Sequence, residues 1–137
     1  MKLNNLLVIA SMLSVLLMTF HMTDDIVRGM EPGTLLDLIL VPILVFQLYG
    51  TLVLAERRSG YVIILLSSLL LLVVPVVHMK GAGVGGAIAK SSGAFFFIWT
   101  LLALSVTALF SVILAARALW EHRPQGTDAQ HKQGAGA

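Results

Sequence analysis

Apolar residues in this chain do not alternate with polar ones; they run in four long blocks separated by short clusters of charge. No Asp, Glu, Lys or Arg occurs in 3–23, 38–55, 59–79 or 91–116. Each block reaches or approaches the ~20 residues that an α-helix needs to cross a hydrocarbon layer about 30 Å thick. Backbone groups in lipid must be satisfied within the segment, so helices are the expected form. A transmembrane barrel would alternate polarity over ~10-residue strands, and these blocks are uniformly apolar. The pattern predicts an all-α polytopic membrane protein, with four transmembrane helices in an up-down bundle at about 3–22, 34–55, 61–79 and 94–120.

The connections carry their own signals. The segment from His21 to Gly33 is polar; Asp24 and Arg28 stand four apart, as an ion pair on a short helical extension would. Gly29 and Pro32-Gly33 then force a turn. Thr34 with Asp37 resembles a capping box, and Pro42 should kink the second helix. Glu56 to Gly60 makes a tight turn, and Pro75 bends the end of the third helix. Residues 1–120 form the transmembrane domain, and 121–137 read as a disordered cytoplasmic tail. Lys2 and the apolar run from Leu6 to Phe20 have the outline of a secretory signal, but no small-x-small cleavage site follows. That segment is read as a retained helix.

Composition agrees: 58% of the 137 residues are hydrophobic and 12% charged, against roughly a quarter charged in soluble domains. Orientation follows from Lys and Arg. With the N-terminus inside, Lys2, Arg57, Arg58, Arg117, Arg123 and Lys132 are cytoplasmic, and Arg28, Lys80 and Lys90 lie opposite. The bias predicts N-in, C-in, with Tyr61 and Trp120 at the inner interface and Phe95–Phe97 with Trp99 at the outer one. Topology accounts for the basic residues, so no nucleic-acid partner is expected. The lipid bilayer is, with a homo-oligomer or another membrane protein as further partners. The expected location is a bacterial inner (plasma) membrane. The absence of cysteine excludes thiol chemistry, Cys-ligated zinc and iron–sulfur clusters.

Two packing faces can be read. Ser11, Ser14, Met18 and His21 fall on one side of the first helix and should face the bundle. Ala103, Thr107, Ser111 and Ala115 recur every four residues on the last helix, as a close-packing stripe would. Gln47 should hydrogen-bond another helix, and so should Tyr49.

The candidate chemistry is sparse. The topology puts His21 and His78 on the outer side with Asp24, Asp25 and Glu31, and with Met22, Met30 and Met79. His with carboxylate suits zinc, and His with thioether suits copper. Two histidines on separate helices also suit haem iron. Candidate metal ligands are therefore His21, His78, Asp24 and Asp25, although no fixed ligand spacing marks them. Asp37 and Gln47 are candidates for a transport path, with capping as the competing role of Asp37. The run Gly81 to Gly86 matches G-x-G-x-x-G but follows a membrane helix, so the match is accidental. No nucleophile–base–acid set is evident. Small multidrug exporters need a central carboxylate in the first helix, where this chain has none before His21, and vitamin K epoxide reductase relatives need cysteines. No family resemblance is drawn. The favoured expectation is a non-enzymatic accessory or self-associating membrane component. The rivals are a metal- or haem-binding protein using His21 and His78, and a small oligomeric transporter using Asp37.

Overall fold

A computed structural model describes residues 2–29, 39–79, 84, 86 and 88–122. Asp37, Glu31, Met30, the Thr34 cap, most of the glycine-rich run and the tail beyond His122 lie outside the described residues. The described residues form helices and the turns that connect them. The elements are α1 (Leu3–Val27), α2 (Leu40–Leu52), α3 (Arg58–Leu71), α4 (Val73–His78), a 3-10 turn at Ile88–Lys90 and α5 (Ala94–Glu121). α3 and α4 form one segment interrupted at Leu72, giving four helical segments among the described residues. Three of these, Leu3–Val27, Arg58–His78 and Ala94–Glu121, are long and apolar enough to cross a membrane. The described part of α2, 13 residues, is apolar but shorter.

Pairings at the helix ends fix the directions. Asn4 of α1 reaches Glu56 beyond the end of α2, and Ser11 reaches Gln47 and Thr51, so α1 and α2 run antiparallel. The ring of Tyr61, early in α3, meets His122 just past α5. Arg28 at the end of α1 binds the residues that open α5. Successive segments therefore alternate in direction.

Two of the helix ends have identifiable physical causes. α1 runs past residue 22 to Val27, through the extension that the Asp24–Arg28 spacing suggested. The Asp24–Arg28 pair, at 2.7 Å, supports its last turn. The helix stops only at Gly29, whose φ of 69° is left-handed. α3 breaks at Leu72, three residues before Pro75, because proline has no N–H for the Leu71 carbonyl. Pro42 sits in the first turn of described α2, where its missing donor costs little. α2 and α3 cross with their backbones nearly touching. A Cβ at Gly60 would collide with the carbonyl oxygens of Leu54 and Gly50, so glycine is required for this approach.

The buried positions of α5 are Phe97, Leu101, Leu104, Ala108, Ser111, Ala115 and Ala118, with Thr100 beside them. Those of α1 are Leu7, Ser11, Ser14, Met18, His21 and Asp25. Both alternate steps of four and three, the seam of left-handed helix packing. The α1 face is the predicted one. On α5 the four-residue stripe is correct at Ser111 and Ala115, while Ala103 and Thr107 fall half-buried at its flank. A strict step of four drifts about 40° each time on a helix of 3.6 residues per turn. Tyr49 is corrected too: it is 47% exposed, because two residues from buried Gln47 place it on the opposite side of α2. Tyr61 (3% exposed) and Phe97 (0%) also turn inward, whereas Phe95, Trp99 and Trp120 face outward as an interfacial belt would.

The polarity of the bundle is inverted. Leu, Ile, Val and Phe crowd the outside, while Ser11, Ser14, His21, Asp25, Gln47, Thr51, Ser68, Thr100 and Ser111 are buried. Along α1, an apolar layer around Leu7 gives way to a polar one. There Ser11 Oγ lies 2.7 Å from Thr51 Oγ1, and Gln47 Nε2 donates to Ser11 Oγ at 3.1 Å. A second apolar layer, Met18, Leu71, Leu104 and Ala108, separates this from the end that holds the histidines. Hydrogen bonds between helices in apolar surroundings contribute about 0.6 kcal/mol on average. Gln47→Met, which keeps the volume, is therefore expected to change unfolding free energy in detergent by no more than ~1 kcal/mol. A loss several times larger would show that the amide organises the whole layer.

Candidate metal centre

His21 and Asp25 stand one helical turn apart and face the interior together because α1 continues through them. His78 ends α4 and approaches from across the bundle. Asp25 Oδ2 lies 3.1 Å from His78 Nε2 and 3.6 Å from His21 Nε2, so one carboxylate oxygen sits between two imidazoles. One ligand atom from each of the three residues falls within 4.8 Å of the others. The imidazole rings meet edge to face at 4.8 Å, and Phe97 packs against both, at 5.0 and 5.9 Å. Among the described residues no other group of three His, Cys, Asp or Glu side chains converges in this way.

The hydrogen bonding of this cluster is incomplete. Both ring nitrogens of His21 and Asp25 Oδ1 are buried without a hydrogen-bond partner. Each such group costs about 1–3 kcal/mol, and buried orphans in a folded protein call for an explanation. His78 is oriented by the backbone: its Nδ1 is 2.9 Å from the Val74 carbonyl. A carbonyl only accepts, so Nδ1 carries the hydrogen, and in the neutral ring Nε2 presents a lone pair to Asp25. A carboxylate oxygen facing a lone pair at 3.1 Å requires a proton or a metal cation between them. Carbonyl orientation of the distal nitrogen is also how metal-ligating histidines are held.

The neighbouring charges are arranged otherwise. Asp24 points about 100° away around α1 and is engaged by Arg28 Nε at 2.7 Å. The remaining donors of Arg28 bind Ser91 Oγ, the Ser92 carbonyl and the Gly93 carbonyl at 2.9–3.0 Å. Arg28 thus ties the end of α1 to the start of α5 and fixes one wall of the cluster. Arg28→Ala is expected to release that turn, seen as at least tenfold faster amide exchange from Asp25 to Gly29, with α5 beyond Trp99 unchanged. Met79 is largely exposed.

No family model matches the chain, and no curated protein or solved structure is detectably similar to it. The chemistry therefore has to be argued from the residues. Of the four sequence candidates, His21, Asp25 and His78 come together and Asp24 does not. The sequence reading missed Val74, whose carbonyl sets the tautomer of His78, and Phe97, which covers both rings. Only the second carried a signal: Phe97 shares its helical face with Leu101 and Leu104. At the other end of the bundle, Asn4, Glu56, Arg117 and Glu121 make exposed pairs among themselves. Surface pairs of this kind contribute little.

Proposed function

We propose that this chain crosses a bacterial plasma membrane four times, with both ends in the cytoplasm, and binds a metal ion at His21, Asp25 and His78 near the outer face. The observation that carries the reading is the buried carboxylate of Asp25 held between two imidazoles, with three polar atoms of the cluster unpartnered. Ionisable groups inside a membrane bundle are costly and are kept where they bind or relay something. A divalent ion would neutralise the carboxylate and engage the imidazoles at once.

An accessory component with no chemistry of its own is the simpler alternative, but it leaves these orphaned groups without a purpose. Haem suits the cluster poorly. Its two axial histidines would stand on opposite faces of the macrocycle, whereas these rings touch each other and share Asp25. The four-span part of the proposal rests on the apolar block 38–55, on the alternating helix directions and on the Lys/Arg bias.

Elemental analysis of detergent-purified protein, loaded with zinc and dialysed, tests the binding. About one ion per chain is expected for the native protein and a small fraction of that for His21→Ala. Because the chain has no cysteine, single introduced ones report topology cleanly. Ser92→Cys should react with an impermeant maleimide from outside intact cells, and Glu56→Cys only after lysis. Labelling of both from the same side would contradict the orientation.

A further inference from the structure

Resting on the metal reading, we infer that the site takes a zinc-class divalent ion reversibly, through three protein ligands, and that α4 is the wall that moves to admit it. The donor set selects the class. Two imidazole nitrogens and one carboxylate suit zinc and its first-row neighbours. Calcium requires six to eight oxygens and magnesium an octahedral, largely aqueous shell, and the described residues provide neither. The chain has no cysteine thiolate that would favour Cu(I).

A tetrahedron with metal–ligand bonds of ~2.0–2.1 Å has ligand–ligand edges of about 3.3 Å. The separations of 3.1 and 3.6 Å from Asp25 Oδ2 bracket that value, while the triad as a whole spans up to 4.8 Å. An ion therefore has to draw the two imidazoles together, a movement that His78 on α4 can supply. Three protein ligands leave a fourth position for water or an exchanging group, the form of sites that turn over rather than those that hold a fold together. Three apolar clusters pack the bundle without any contribution from an ion.

The two walls of the site are built differently. His21 and Asp25 belong to an unbroken 25-residue helix whose end is tied by Arg28 to α5. His78 belongs to a six-residue segment that follows the break at Leu72, and within it only Pro75 is buried. Pro75 removes the hydrogen bond that would join α4 to α3 through the Leu71 carbonyl. Val73, Val76 and Val77 are all more than half exposed on the outer surface. Rotation about Leu72 would carry His78 away from Asp25 without disturbing the other two ligands.

The test measures zinc release from the full-length protein in detergent, with a chromogenic chelator in excess, for native protein and Pro75→Ala. Restoring the missing backbone bond should slow release at least tenfold while the zinc dissociation constant stays within threefold. Calcium or magnesium at a thousandfold excess should leave the zinc in place. Independently of any variant, zinc should slow amide exchange more strongly at Val73–Met79 than at Met18–Val27 in native protein. Unchanged or faster release from Pro75→Ala, equal protection of the two segments, or displacement by calcium would each overturn the inference while leaving a metal site in place. Failure to bind any ion would overturn the underlying reading with it.

Discussion

Asp25→Asn is expected to lower zinc affinity by more than the ~10- to 100-fold that loss of an outer-shell partner costs, while leaving the metal-free bundle at least as stable. The two effects have opposite signs for a physical reason. Removing the carboxylate takes away the charge that attracts the ion, but it also relieves the desolvation of an anion 3% exposed within an apolar bundle. Isothermal titration with zinc and chemical unfolding without it measure the two separately. A purely structural role for Asp25 would show the reverse: destabilised protein and no change in metal uptake. Binding should also weaken as pH falls, because protons compete with the ion for the imidazole nitrogens. Dissociation constants measured between neutral and mildly acidic pH should rise steadily in native protein.

The largest structural effect is expected at Gly60, far from the site. Its added Cβ would run into backbone, the carbonyls of Leu54 and Gly50, and backbone at a helix crossing cannot step aside. Gly60→Ala should therefore cost ~3 kcal/mol, the upper range for overpacking. Gly50→Ala meets Ile63 at Cγ2 (2.8 Å) and Cβ (3.0 Å), atoms of a stiff β-branched side chain that yield less readily than a chain end but more readily than backbone, and should cost ~2 kcal/mol. Unfolding curves in mixed detergent check the order of the two. Equal losses would mean that the α2–α3 crossing is looser than this packing implies. Zinc affinity should be preserved in whichever variant still folds, since neither glycine touches the cluster.

The helices were legible because lipid-compatible segments must be long and free of charge, and 3–23, 59–79 and 91–116 meet that condition without help from propensity. The inward face of α1 was legible too, because four polar or adaptable residues at helical spacing are hard to place against hydrocarbon. The extra turn of α1 was visible in the Asp24–Arg28 spacing. Its consequence, that His21 and Asp25 share a face, needed the helix to be continued to Val27. Asp24 and Asp25 were equivalent as letters; about 100° of helix rotation separates them, and it sends one to Arg28 and the other to the histidines. The approach of His78 was not legible. It depends on how α4 departs from α3 at Leu72, and no local signal sets that angle. The small-residue stripe on α5 was misplaced at Ala103 and Thr107 because a four-residue repeat slides off a seam that alternates four and three.

X-ray absorption on zinc-loaded native protein addresses the metal assignment most directly. The account predicts a first shell of nitrogen and oxygen at ~2.0–2.1 Å, with the multiple-scattering pattern of two imidazoles, one of which is lost in His78→Ala. A spectrum of zinc surrounded by water oxygens, with no imidazole signature and no response to that substitution, would contradict it.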